Sequence, residues 1–317
     1  MYITIDTGTT NTRVRLYDYE FNLVDAVTTH IGVKNTAIDG NNNKLKNTLK
    51  NSISAILGSN QNPVIDAVIA TGMITSALGL YEIPHLTVPV SKEALKASAV
   101  TVFMSDICDI PITFITGVKN KFDENNPESM DIMRGEEVEA FAILEELPKG
   151  RPYLLVLPGS HSKFISVNKL GEITGSVTTL TGELIEVISN RTIISEAVGG
   201  ELVSKYMKDF VINGYKEAKK VGTSRAAFLC RINNLFCNFS HNQVANFLLG
   251  IVLQSDITAL MNSSAIEFSK DYQIIVAGKY VLKQGLIDIL NQEGFVAKGF
   301  ESENENELSG IGALLMA

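Results

Sequence analysis

The chain of 317 residues is short of cysteine, of histidine and of clustered basic residues, and each shortage removes a class of function. Its three cysteines, Cys108, Cys230 and Cys237, are an odd number without a CxxC pair. Cys230 and Cys237 fall seven apart in a helical pattern, about 10 Å along one face, too far for a bridge. All three read as free, buried thiols of a reducing compartment. Four histidines, with no HExxH and no Cys/His cluster, give no sign of a tightly held transition metal. A balance of 27 basic against 35 acidic residues, net −8, disfavours a phosphate backbone as partner, and no Lys/Arg run with interleaved aromatics offsets it. No charged n-region precedes an apolar stretch at the N-terminus, and no uninterrupted apolar run approaches the roughly 20 residues that span a bilayer. The expectation is a cytoplasmic protein with neither nucleic acid nor membrane as partner.

What is present is enough apolar sequence, 45%, for a large core, and a length that favours two domains over one. The opening YITIDTGTTNTRVRLYD alternates around a polar turn and predicts a β-hairpin. A strand over Leu23 to Thr29, a helix from about Asn43 to Leu57, a buried strand over Val64 to Ala70 ending in Thr71-Gly72-Met73, and a strand over Ile112 to Ile115 follow. The composition then shifts: KNKFDENNPES, Lys119 to Ser129, is polar and carries Pro127. The expected division is an N-terminal lobe over 1–118, a linker over 119–131 and a C-terminal lobe over 132–317. Past the linker the pattern starts again, with YLLVL, a turn PGSHSK and FISV. Aligning Gly8 with Gly159 places Thr9 on Ser160, Ile3 on Leu154, Ile5 on Val156, Val14 on Ile165 and Leu16 on Val167, one hairpin per half. Helices dominate from Glu183 to Ser263, QIIVA is a last buried strand before Gly278, and ESENENE is a solvated acidic loop.

Turns of glycine and hydroxyl residues expose backbone N–H groups, and two of them facing across a cleft can wrap a polyphosphate. The first carries Gly8, Thr9, Thr10 and Asn11; the second carries Gly159, Ser160, His161, Ser162 and Lys163. Asp6, at the end of the first strand, either satisfies turn amides or holds Mg²⁺ through water, since magnesium prefers one or two carboxylates plus phosphate oxygens. The stretch DIMRGEEVEAF, Asp131 to Phe141, places Arg134 and Gly135 before Glu136 and Glu137 at a helix start. Acids there complement the helix dipole, or one of them takes a proton. Helical spacing puts Val138, Phe141 and Ala142 on the packed face, with Glu137 turned to solvent.

DTGTTNTR, MRGEEVEAF, LPGSHSKF, TLTGEL and VAGKYVL occur in that order. The set resembles the sugar-kinase, actin and Hsp70 ATPase superfamily and, within it, the 2-dehydro-3-deoxygalactonokinases, across nearly the whole chain. The resemblance implies an α/β, two-lobed ribonuclease H-like fold of the actin/hexokinase type with a cleft between the lobes. It implies transfer of the γ-phosphoryl of ATP, with Mg²⁺, to the 6-hydroxyl of 2-dehydro-3-deoxy-D-galactonate in galactonate catabolism. Asp6 would lie near Mg²⁺, Gly8 to Asn11 and Gly159 to Lys163 at the phosphates, and Gly278, Gly310 and Gly312 near the adenosine. Gly72, Met73 and Ser76 match the substrate-side loop, and Glu136 the base, with Asp131 as the other candidate. Arg134 either clamps the substrate carboxylate or neutralises Glu136 and Glu137; His161 is a donor to ligand or a structural histidine; Lys163 is a phosphate ligand. The family commonly has Gly at Thr75, Trp at Leu80 and an aromatic residue or His at Ile185. A kinase for another sugar, sugar acid or polyol is the nearest alternative, and a nucleotide-dependent regulatory protein with no small acceptor is the alternative from another class. The oligomeric state is open, a homodimer included.

Overall fold

The computed structural model describes residues 1–200 and 203–317. From the N-terminus, β1 (Tyr2–Thr7), β2 (Thr12–Tyr17) and β3 (Leu23–Thr29) form a meander, followed by α1 (Val33–Asp39) and α2 (Asn43–Ser59). β4 (Ala67–Gly72), β5 (Leu86–Thr87), α3 (Lys92–Ala97), β6 (Val100–Val102), β7 (Ile112–Phe114) and β8 (Val118–Lys119) come next. After β9 (Ile132–Met133) and α4 (Glu136–Glu146), a second meander runs through β10 (Tyr153–Leu157), β11 (Ser162–Val167) and β12 (Ile173–Thr179). Then come α5 (Thr181–Arg191), α6 (Ser195–Val198), α7 (Lys208–Val221), α8 (Thr223–Phe236) and α9 (His241–Asn262). β13 (Gln273–Val276), α10 (Tyr280–Gln292), β14 (Ala297–Gly299) and α11 (Leu308–Leu314) complete the described elements.

Two large sheets organise these elements, beside a small one in the order β5-β8-β9. One has the order β3-β2-β1-β4-β7-β6 and the other β12-β11-β10-β13-β14, each an antiparallel meander joined to a parallel strand, β1 to β4 and β10 to β13. The predicted strand over Val64 to Ala70 lies two to three residues later, because Asp66 is held by the N-terminal amine and pairing begins at Ala67. The segment expected as a linker leaves from β8 and returns on β9, which pair with each other. Asn120 fastens it by donating to the carbonyls of Ser129, Ser176 and Ala265.

The repeated hairpin is real in the first strand of each copy and slips in the second. Ile3 faces Leu16 and Ile5 faces Val14, whereas Leu154 faces Ser166 and Val156 faces Phe164. Between the equivalent pairs Ile5–Val14 and Val156–Phe164 the second connection is one residue shorter than the first, so the true counterpart of Val14 is Phe164 rather than Ile165. Ile165 and Val167 pack on the opposite side of their sheet, in the core that also holds Val138, Phe141 and Ala142 of α4. α9 is, among the described residues, one helix long and apolar enough to cross a membrane, and 72% of its apolar window is buried inside the protein. Of the thiols, Cys230 is buried, Cys108 half-buried and Cys237 exposed at the end of α8, so burial holds fully for one of the three.

Candidate active site

Each hairpin turn is held from behind by the start of a helix. In the first, the amides of Val33 and Lys34 donate to the carbonyls of Gly8 and Thr9 at 3.2 and 2.9 Å. In the second, the Gly182 amide donates to the carbonyls of Gly159 and Ser160 at 3.1 and 3.0 Å, and the Glu183 amide to Ser160 at 3.3 Å. A glycine makes each approach close enough: a Cβ on Gly32 would lie 2.5 Å from the Thr9 oxygen, and one on Gly182 would lie 2.8 Å from the Gly159 oxygen. With their carbonyls turned back to the helix, the turns aim their N–H groups outward. Among the described residues, the amides of Thr9, Thr10, Ser160 and His161 have no protein acceptor, and all four residues are exposed. Two arrays of free donors of this kind suit a polyanion.

Beside the first turn, three chain segments converge. Asp6 and Thr7 of β1 pair with Thr71 and Gly72 of β4, and a Cβ on Gly72 would sit 2.6 Å from the Thr7 oxygen and 3.3 Å from Asp6 Oδ1. Gly135, with φ +114°, would place a Cβ 3.3 Å from the Gly72 Cα. Only residues without a side chain let the start of α4 come this near the strand ends. The contact brings Glu139 near Asp6, with Glu136 and Glu137 at the start of the same helix. Glu136 is half-buried, and one of its oxygens accepts from the Arg134 amide at 3.0 Å. Glu137, predicted to face solvent, is instead fully buried, with both oxygens on the Gly135 amide at 2.8 Å. Burial, then the neighbouring Glu136, pushes its carboxyl up to about 8. Glu139, one turn on, is pushed up to about 8 by burial and by Asp6, Glu136 and Glu137. Asp6 is balanced by Arg13 at 3.1 Å and by the Ser309 hydroxyl at 3.2 Å.

Several candidates stand elsewhere than expected. Arg134 neither points into open space nor pairs with the glutamates. Its Nη1 donates to the Thr75 carbonyl and hydroxyl, both at 2.6 Å, and its Nη2 to the Ile83 carbonyl at 2.8 Å and to His85 Nδ1 at 3.3 Å. Burial, with Arg134 alongside, lowers His85 to about 4, so its ring is neutral and free to accept. Arg134 therefore fastens the loop that carries Met73 and Ser76, where Ser76 itself donates to the Met73 carbonyl at 2.7 Å. Lys163 and Asp131 face each other at 3.6 Å with little exposure and share the Thr178 hydroxyl. Lys163 is held by the Ile132 carbonyl and by Thr178 across the sheet, and Asp131 already has its cation. His161 reaches Glu183 at 3.0 Å, on the surface. Gly278, at φ +130°, abuts Pro158 beside the second turn, and its amide donates to Glu305. Gly310 and Gly312 do not line that space. They lie within α11, where a Cβ would meet the Tyr17 hydroxyl at 1.9 Å and the Val138 carbonyl at 2.1 Å, so they serve helix packing.

Sequence reasoning missed the roles of Gly32, Arg13 and Gly182, and set Glu139 aside as farther along the helix than Glu136. Gly182 lies inside the quoted TLTGEL, and the step of an acid every three residues from Glu136 to Glu139 was the only other visible signal.

A model of the 2-keto-3-deoxy-galactonokinase family matches residues 6–312. Over 131 residues the chain is 30% identical to a Rhizobium meliloti (strain 1021) protein named "Probable 2-dehydro-3-deoxygalactonokinase", an alignment covering 41% of this chain and 40% of that relative's length. A solved Sinorhizobium meliloti structure, described as a "putative 2-dehydro-3-deoxygalactonokinase protein", superposes with a TM-score of 0.78 at 19% identity, over 100% of this chain and 98% of that one. The "Putative N-acetylglucosamine Kinase" of Porphyromonas gingivalis reaches 0.50 at 14% identity, over 99% of this chain and 97% of its own. The fold is thereby the two-lobed α/β ribonuclease H-like fold of the actin/hexokinase type.

Proposed function

This chain belongs to the 2-keto-3-deoxy-galactonokinase family, and from that premise we infer that it transfers the γ-phosphoryl of ATP to the 6-hydroxyl of 2-dehydro-3-deoxy-D-galactonate, in galactonate catabolism in the cytoplasm. The observation that carries the reading is the pair of hairpin turns whose carbonyls are held by helix starts and whose amides are left free. Residues 1–118 and 132–317 act as the lobes and 119–131 as their connection, with ATP across the two turns and Gly278 on the adenosine side. Mg²⁺ fits this site as an ion carried by phosphate oxygens and water. Among the described residues no three His, Cys, Asp or Glu side chains are grouped to hold a metal. Asp6 would reach the ion through water, and beside it Glu139, pushed up first by burial and then by Asp6, Glu136 and Glu137, stands in negative surroundings that a divalent cation relieves. When bound, the ion supplies charge neutralisation to the phosphates.

Glu136 is the base. It orients the 6-hydroxyl and takes its proton as the substrate oxygen bonds to the γ-phosphorus and the bond from that phosphorus to the bridging oxygen of ADP breaks. Arg134 contributes by fixing the loop of Gly72, Met73 and Ser76 against which the sugar acid rests. Thr75, where glycine is common in the family, is part of that fastening, since its hydroxyl also donates to the Gly72 carbonyl. This altered loop, with Leu80 and Ile185, favours a different sugar acid as the second reading. Coupled ADP release with ATP, Mg²⁺ and a panel of sugar acids tests both. Stimulation by 2-dehydro-3-deoxy-D-galactonate above its C4 epimer supports the first, stimulation by another acid alone the second, and stimulation by none defeats both.

A further inference from the structure

One deeply buried acid has no part in the chemistry above. Asp256 lies in the second half of α9, 1% exposed on the face that also buries Leu253, Ile257 and Leu260, and among the described residues no Lys, Arg or His pairs with it. Burying a lone carboxyl group is costly, and its hydrogen bonds are what offset the cost. Here the partner is specific: Asp256 Oδ2 accepts from the Thr181 hydroxyl at 2.7 Å, and Thr181 Oγ1 lies 3.0 Å from Thr179 Oγ1. Burial pushes the acid up to about 6, with the Thr181 and Thr179 hydroxyls working in the opposite direction.

Thr181 is fully buried and is the first residue of α5. The next two residues, Gly182 and Glu183, supply the amides that hold the Gly159 and Ser160 carbonyls. No side chain caps α5, whose preceding residue is Leu180, so its first turn is located by Thr181 reaching back to the core helix. We propose that Asp256 is a positioning residue for the second phosphate turn: through Thr181 it fixes the start of α5, and α5 fixes which way the turn's free amides point. At the first turn no buried acid plays this part: Thr12 Oγ1 donates to the Ile31 carbonyl at 2.7 Å and the Gly32 amide donates to Asn35 Oδ1 at 3.1 Å. The inference rests on the reading of 159–163 as a phosphate turn, and its test has a readout independent of turnover.

Amide hydrogen exchange across 157–163 and 180–185 is measured by mass spectrometry in wild type, Asp256→Leu, Asp256→Asn and Thr181→Val, with KM for ATP and for the sugar acid measured separately. Loss of one buried hydrogen bond predicts roughly tenfold faster exchange in those two segments for Asp256→Leu and Thr181→Val. KM for ATP rises about fivefold to tenfold while KM for the sugar acid stays put. Asp256→Asn keeps an oxygen to accept from Thr181 and restores both quantities. Thr181→Val with wild-type exchange and wild-type KM for ATP overturns the proposal, as does Asp256→Asn behaving like Asp256→Leu. Should Asp256→Leu not fold, Thr181→Val carries the test by itself. A wild type that turns over no sugar acid defeats the sugar-acid kinase reading, and the exchange data still decide the role of Asp256.

Discussion

The two hairpin turns use one backbone device with different side chains. In both, a helix start pulls the turn carbonyls back and frees the amides, and in both a glycine, Gly32 or Gly182, permits the approach. Around the first turn the surroundings are acidic, with Asp6, Glu136, Glu137 and Glu139 drawn together by the Gly72 and Gly135 contact. Around the second they are apolar or internally paired: Leu157 stands before the turn, and Lys163 is spent on Asp131. On the proposed reading phosphate binding needs only backbone and can be duplicated, whereas a proton acceptor and a metal-side carboxylate are needed once, and the reading puts them where Asp6 and the α4 acids lie.

Variants can break this comparison at different depths. The largest effect is expected for Glu136→Gln, a fall in kcat of about 100-fold to 10,000-fold in ADP release with near-normal ATP binding. Asp131→Asn, on the second side, should change kcat less than about threefold, and full turnover in Glu136→Gln with loss in Asp131→Asn would reverse the assignment of the base. Next come Gly32→Ala and Gly182→Ala. Overpacking costs on the order of 1–3 kcal/mol, and each should raise KM for ATP by about tenfold or more, read in initial-rate kinetics. If Gly182→Ala alone is harmful, the first turn is not a phosphate site.

Removing Lys163 as Lys163→Met strands Asp131 away from water, and urea melts should show a loss of about 2–3 kcal/mol, with kcat changed little. A smaller effect separates the acidic side. Glu137 holds its proton up to about pH 8 when folded and loses it near pH 4.3 when unfolded, so its contribution is complete below about pH 4.3 and is lost as pH rises towards 8. Thermal unfolding of wild type should therefore weaken between pH 5 and pH 8, and Glu137→Gln should flatten that slope by on the order of 1 kcal/mol. A slope unchanged in Glu137→Gln would mean that the carboxyl titrates normally. Least of all, His161→Ala should cost under about 1 kcal/mol, since its pair with Glu183 is exposed.

Much of this was legible in the chain. Alternation of apolar residues located β1, β2, β10 and β11, and the 3.6-residue spacing put Val138, Phe141 and Ala142 on the packed face of α4, where they are buried. Glu137 defeated the same periodicity. It lies beside the packed face, and the Gly135 amide folds its carboxylate inward, a contact set by a positive φ that no helical wheel encodes. Arg134 and Lys163 were misplaced for a related reason. A long cation can serve whichever acceptors lie within reach, and those acceptors, Thr75, Ile83 and Asp131, come from 59, 51 and 32 residues away.

By itself the sequence determined the secondary elements, the two glycine-and-hydroxyl turns and the family motifs, because all of these are written in local spacing and residue type. Only the tertiary structure decided which glycines are turn supports and which are helix packing, which carboxylates share a site, and which cations are already engaged. Those are questions of distance between segments far apart in the chain, and distance is fixed by how two sheets and the helices on them close over their cores.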